Sequence, residues 1–157
     1  MVSAIPQLLG RLVDTPLRRG LWVIIRPIAF IRPDGTRLEM PPFFVTDYAS
    51  SPRLTWWAIP MRDGQYDVAA AFHDYTVRYR KTLGLTLSEC HDVFDEVMRV
   101  KGVPRFRRRL MVRIVRIFNR FCAGKGDGAS PHKLRGVDVA KLTEIIKDNP
   151  WNPESLI

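Results

Sequence analysis

A histidine followed directly by an aspartate is the feature of this sequence best suited to chemistry. His73 and Asp74 come just after three consecutive alanines at 69–71, whose small side chains favour a closely packed helix. An imidazole at such a position can serve as a general base or a metal ligand when a carboxylate orients its second nitrogen. Asp47 and Asp92 are the candidate carboxylates. The alternative is a structural pair that bridges a loop and a helix through hydrogen bonds.

A second polar segment contains Thr46, Asp47 and Ser50, shortly before Pro52. Asp47 is a candidate catalytic carboxylate or metal ligand. The alternative is a local role, because Asp, Ser and Thr before a proline commonly bond neighbouring backbone amides in turns. We predict that Asp47 lies close to His73 in the fold, although the two are distant in sequence.

Signals for a metal or a cofactor are weak. His91 and Asp95 are four residues apart and could share a helix face, but without an H-E-x-x-H pattern a solvated face is the favoured interpretation. The sequence has no nucleotide-binding glycine loop, no G-x-S-x-G elbow and no zinc-finger spacing. Metal and cofactor therefore stay unassigned. The two cysteines, Cys90 and Cys122, are predicted to be reduced core residues.

The positive charge is concentrated in one segment. The chain carries 25 Lys and Arg against 16 Asp and Glu, a net charge of +9, yet residues 97–126 contain ten basic residues and no acidic one. The rest of the chain is therefore close to neutral. Projection of this segment onto a helix predicts an amphipathic helix with an arginine edge beside an apolar stripe. The edge consists of Arg109, Arg113, Arg116 and Arg120, and the stripe of Phe106, Leu110, Ile114, Ile117, Phe118 and Phe121.

Strands are predicted before the polar segments. Residues 21–46 are rich in β-branched and aromatic side chains, with a Pro33-Asp34-Gly35 turn between two runs. This pattern indicates a hairpin. The returning arm of this hairpin is predicted at Arg37–Val45, where Pro41 and Pro42 interrupt it. These prolines favour an edge strand or a strand that starts late.

Helices are predicted after an ordered loop at 46–63. The first covers residues 66–80, and the second runs from the capping-box sequence at Thr86–Glu89 to about Val100. The basic helix follows Pro104. The fold class is therefore α+β: an N-terminal β-hairpin or small antiparallel sheet packed on a three-helix unit, forming one domain over 1–123. Residues 124–157 are predicted to be a Gly-rich linker, a short helix at 137–147 and an extended C-terminal arm.

Composition excludes several classes of protein. With 46% hydrophobic and 26% charged residues, the chain is typical of a folded globular protein and not of a disordered one. The longest apolar runs are broken by Arg26 and Arg32 and fall short of the roughly 20 residues that a spanning helix needs. We therefore expect no membrane span. The N-terminus lacks the features of a secretory signal peptide, so export by that route is not expected.

Four short motifs appear in a fixed order. They have the forms F-x-T-D-x-A-S-x-P-R, A-A-x-x-H-D, D-x-F-x-x-x-M and G-V, and they occupy residues 44–53, 69–74, 92–98 and 102–103. In this arrangement the chain resembles a family of small phage and prophage proteins of unknown function, over roughly residues 20–120. One departure is Val77, where that family usually has a tyrosine.

The resemblance implies a phage context more than an activity. The leading hypothesis is a structural or assembly component of the virion, which docks onto other phage proteins through the basic helix and the C-terminal arm. An oligomer within such an assembly is compatible with this role. The expected location is the phage particle, or the host cytoplasm during assembly.

Two further hypotheses stay open. One is a hydrolase directed at cell-wall or lipid material, with His73 as base or ligand and Asp74, Asp47 and Asp92 assisting it. The other is nucleic-acid binding, in which Arg109, Arg113, Arg116 and Arg120 contact phosphates.

Overall fold

A computed structural model of the chain describes residues 4–18, 21–48, 66–122 and 139–150, without the side chains of 18 and 118–122. The chain divides into two compact units. The first comprises Met1–Asp47 and Ser130–Ile157, and the second comprises Tyr48–Ala129. The described elements are strands and helices in separate stretches of sequence, which confirms the α+β class.

In the first unit the described residues form six short strands in two antiparallel sheets. They are β1 (Gln7–Leu9), β2 (Asp14–Arg18), β3 (Leu21–Ile24), β4 (Ile28–Ile31), β5 (Arg37–Met40) and β6 (Val45–Thr46). The strand orders are β1-β4-β5 and β2-β3-β6. Every pairing in both sheets is antiparallel. The prediction of a small antiparallel sheet is therefore confirmed, although β1 and β2 were not predicted.

The β4–β5 hairpin forms at the predicted turn. The Asp34 carboxylate accepts a hydrogen bond from the Thr36 backbone N–H at 2.8 Å, and this bond is the main reason why the pKa of Asp34 is lowered. Gly35 has φ +86°, which glycine adopts without strain. In β5, Leu38 and Met40 are buried while Arg37 and Glu39 are exposed, as expected for a strand with one buried face. β5 ends before Pro41 and is an edge strand, as predicted.

A fourth helix, named α4 here, contributes to the first unit. It covers Val139–Asp148, close to the predicted 137–147. Leu142 and Ile145 of α4 pack against a buried cluster of strand-region residues, consisting of Leu17, Leu21, Val23 and Ile25. The linker at 124–138 and the arm after residue 150 lie outside the described residues, so the domain boundary at 123 stays a prediction.

The described residues of the second unit form three helices, α1 (Tyr66–Arg78), α2 (Leu87–Val100) and α3 (Arg105–Cys122). All three agree with the predicted segments. Ala69, Ala70 and Ala71 are buried on α1, and small side chains at these positions allow α2 to approach closely. The largest fully or nearly fully buried side chains of this unit are Phe72, Phe94, Val93, Val97 and Met98.

Both ends of α2 are capped. At its start Thr86 and Glu89 form the predicted capping box: the Glu89 N–H donates to Thr86 Oγ1 at 3.2 Å, and the Thr86 N–H donates to Glu89 Oε2 at 2.7 Å. At its end the Gly102 N–H donates to the Arg99 carbonyl and the Val103 N–H donates to the Met98 carbonyl, each at 3.0 Å. This is a Schellman motif, and it requires the positive φ of +78° found at Gly102.

Removing the capping hydroxyl is expected to destabilise the fold. In Thr86→Ala the Glu89 N–H loses its acceptor, so the free energy of unfolding should fall by about 1 kcal/mol. Ser88→Ala is the matched control, because Ser88 is exposed two residues further on and takes no part in the cap. Urea denaturation of both variants is the measurement. Equal stabilities for the two variants would contradict the assigned cap.

The orientation of α3 leaves part of its apolar stripe in water. Of the predicted apolar stripe, Phe106 is 78% exposed and Ile117 is 50% exposed, whereas Met111, outside that stripe, is buried. Arg108, on the same side of α3 as Met111, donates to the Asp95 carboxylate of α2 at 2.8 Å. Among the described residues, no helix is both long enough and apolar enough to cross a bilayer.

Candidate functional site

The second unit holds two buried histidines in contact with each other. His73 of α1 is 6% exposed and His91 of α2 is 4% exposed. Their rings stack with centroids 5.5 Å apart and an angle of 16° between the planes. The ring centroid of Phe94 lies 5.2 Å from that of His73, with the two planes tilted by 51°. The histidine pair thus lies where α1 packs against α2. His73 lies in a packed interior.

Both imidazoles are held in the neutral form. Burial, followed by the neighbouring His91, lowers the pKa of His73 from 6.5 to about 3. The pKa of His91 is also lowered, chiefly by burial and then by Arg116, while Asp92 acts in the opposite direction. At neutral pH the His73 ring therefore keeps one nitrogen that can accept a proton or bind a metal.

One nitrogen of this pair is unused. The Nε2 atom of His73 is buried and has no hydrogen-bond partner in the described part of the chain. Such an atom is costly, because it has lost water without gaining a bond. Across residues 4–18, 21–48, 66–122 and 139–150, no group of three His, Cys, Asp or Glu side chains is placed to hold a metal ion.

The predicted carboxylates are placed differently from one another. Asp92 is about half-exposed and accepts a hydrogen bond from Arg116 of α3 at 3.1 Å. Asp74 is half-buried on α1, directly after His73. Asp47 is half-buried in the first unit, whereas His73 is in the second, so their predicted proximity stays a prediction. The rest of the polar loop, including Ser50 and Arg53, lies outside the described residues.

The prediction that His91 and Asp95 share a solvated face is wrong for His91, whereas the Asp95 side chain is 39% exposed. His91 is buried against His73, and Asp95 bonds Arg108. A signal for the burial of His91 was present in the sequence, because it is four residues after Leu87 and three before Phe94, within the apolar stripe of α2. Cys90 is a free, fully buried cysteine, as predicted, and burial raises the pKa of its thiol. The side chain of Cys122 is not among those described.

The second candidate site is the solvent side of α3. We define the basic face as the exposed residues Arg105, Arg109, Arg113 and Arg116, which fall on one side of the helix. Arg116 is paired with Asp92, whereas Arg105, Arg109 and Arg113 have no ion pair with any described residue. The side chain of Arg120, also predicted for this edge, lies outside the described residues. Three unpaired guanidinium groups in a row are suited to carboxylates or phosphates.

The fold and these two sites define a small α+β protein with a buried histidine pair and a cationic helix. The chain belongs to the family described as "Protein of unknown function (DUF1353)", whose profile matches residues 22–115, more than half of the chain. The matched segment runs from β3 into α3. It includes His73, His91, Arg109 and Arg113 and ends one residue before Arg116. No curated protein and no solved structure matches the chain.

Proposed function

We propose that this protein is a phage-encoded component of the virion or of its assembly machinery, which docks onto a neighbouring phage protein through the basic face of α3. The phage context rests on the resemblance of the four sequence motifs. The docking role rests on one observation: Arg105, Arg109 and Arg113 are exposed and have no ion pair with any described residue. The C-terminal arm remains a second predicted contact, outside the described residues.

The charge distribution favours an acidic protein surface as the partner. Residues 97–126 carry no acidic side chain, so the cations of α3 are not neutralised from within their own segment. A field of one sign attracts an oppositely charged partner and repels further copies of the same surface. Arginine also suits such contacts, since its planar group binds carboxylates with two hydrogen bonds.

We prefer this role to the hydrolase hypothesis. A general base must reach its substrate, and His73 is 6% exposed with Phe94 and His91 against its ring. Among the described residues, Asp92 bonds Arg116 and makes no hydrogen bond to His73. These contacts give His73 the surroundings of a structural residue more than those of a base.

Reversing two charges of the basic face is expected to remove the protein from particles. In the double variant Arg109→Glu and Arg113→Glu, like charges would meet across the contact, so incorporation should fall more than about tenfold. The measurement is quantitative mass spectrometry of purified particles and assembly intermediates. Arg11→Glu with Arg26→Glu is the matched control, because both arginines are exposed in the first unit and the charge change is the same. A wild-type protein absent from particles and from all intermediates would overturn the proposed function.

A further inference from the structure

An apolar seam runs along α3 beside its basic face. We define the seam as Phe106, Leu110, Ile114 and Ile117, which are separated by four, four and three residues and therefore share one side of the helix. Phe106 is 78% exposed and Ile117 is 50% exposed, while Leu110 and Ile114 are half-buried. Large apolar side chains left in water in this way commonly mark an interaction surface.

Cations flank the seam on both sides. On a helix with 100° between successive residues, Arg109 and Arg113 fall on one flank and Arg107, also exposed, falls on the other. Apolar positions at spacings of three and four, bordered by charges, are the arrangement through which one helix selects another. The flanking charges of such a pair determine which partner is accepted.

The charges decide which occupant fits. A second copy of α3 would place arginines opposite arginines in either direction, and like charges across an interface are unfavourable. A bilayer requires a continuous apolar face. The two exposed anchors of the seam are Phe106 and Ile117, and between them Leu110 and Ile114 are already half-covered by the protein. A phosphate backbone offers no partner for an aliphatic side chain such as Ile117. A helix with its own apolar stripe and acidic flanks provides apolar contacts for the anchors and carboxylates for the arginines.

We propose that α3 binds an amphipathic helix of a partner protein, whose apolar stripe covers Phe106 and Ile117 and whose flanking Glu or Asp side chains pair with Arg107, Arg109 and Arg113. This inference rests on the proposed docking function and specifies its partner. The two exposed anchors are eleven residues apart, about 16 Å along the helix axis. A partner helix of about three turns is therefore sufficient to contact both.

A synthetic three-heptad peptide tests this partner class. The peptide carries Leu at the two apolar positions of each heptad and Glu at the two flanking positions, and its binding to the full-length protein is measured by fluorescence anisotropy. The expected result is saturable binding that weakens at least about 100-fold when Lys replaces Glu in the peptide. The parallel probes are phosphatidylglycerol vesicles and a DNA duplex of similar length.

Variants of the seam complete the test. Phe106→Ser with Ile117→Ser should weaken binding of the acidic peptide at least about tenfold, because both anchors are removed. Val139→Ser with Ile5→Ser is the matched control, since these side chains are 72% and 84% exposed outside α3. Circular dichroism establishes that each variant remains folded.

Three outcomes would overturn the helical partner: no binding of the acidic peptide, binding unaffected by the seam variants, or binding of vesicles or DNA in preference to the peptide. If incorporation into particles still depends on Arg109 and Arg113 in such a case, the docking function survives and only the partner class is wrong. If the protein is absent from particles and intermediates, the docking function itself fails, whatever the peptide does.

Discussion

Between about pH 7.5 and about pH 4, the protein is expected to lose on the order of 3 kcal/mol of unfolding free energy through His73 alone. Burial keeps the pKa of His73 at about 3 in the folded chain, against 6.5 for an ordinary histidine. At high pH the imidazole is neutral in both states and contributes no pH dependence. As the pH falls below 6.5 the unfolded chain binds the proton first, so stability decreases until the pH approaches 3. His91 acts in the same direction, because its pKa is also lowered.

The variant His73→Leu isolates this effect. All other titrating groups are shared with the wild type, so the difference between the two curves of stability against pH belongs to His73 and its neighbours. At neutral pH the variant should be as stable as the wild type or more stable, because it removes the buried Nε2 atom that has no hydrogen-bond partner. Urea denaturation at a series of pH values is the measurement. A variant with the wild-type pH dependence would show that His73 does not titrate as the geometry requires.

Phe94→Ala should cost about 3–5 kcal/mol of stability, a large part of what a domain of this size possesses. Phe94 is 2% exposed, and its ring contacts His73, so truncation leaves a cavity at the histidine pair. Phe106→Ala is the matched control: the same substitution at a side chain that is 78% exposed should change stability by less than about 0.5 kcal/mol. Equal losses in the two variants would place Phe94 outside the core.

The variant Phe94→Ala also allows a second measurement, the pKa of His73. Water that enters the cavity solvates the imidazolium form, so the pKa of His73 should rise from about 3 towards 6.5. An NMR titration of the histidine ring protons measures this pKa directly. A large loss of stability with no change in the pKa would mean that the cavity collapses and stays dry.

The helices could be predicted because their signals are local. The capping box at Thr86, the glycine at 102 and the apolar periodicity of residues 87–98 each act within a few residues, and all three determine α2. The β4–β5 hairpin was predictable for the same reason, since its turn chemistry is contained in four residues. In contrast, β1 has only three residues and pairs with the distant strand β4. β2 pairs with the adjacent β3 but contains Pro16, a residue that disfavours strands. Single-segment patterns carry little information about such pairing.

The candidate sites were only partly predictable, because they depend on which side of a helix meets its neighbour. The alanine-rich surroundings of His73 single it out in the sequence, but its ring contacts include His91, for which the sequence favours a solvated face. The orientation of α3 is of the same kind: Met111 is buried on the side where Arg108 pairs with Asp95, whereas Phe106 is exposed. Choices between helix faces arise from tertiary contacts, and the hydrophobic period alone does not distinguish them when a helix has two apolar sides.

Among the described side chains, the two ion pairs between α2 and α3 differ in their access to water, and this makes α3 unevenly sensitive to ionic strength. Arg108 is 11% exposed in its pair with Asp95, whereas Arg116 and Asp92 are each about half-exposed. Dissolved ions screen the outer pair far more than the inner one. Concentrated salt therefore loosens the attachment of α3 from its C-terminal half, while the first turns of the helix stay anchored.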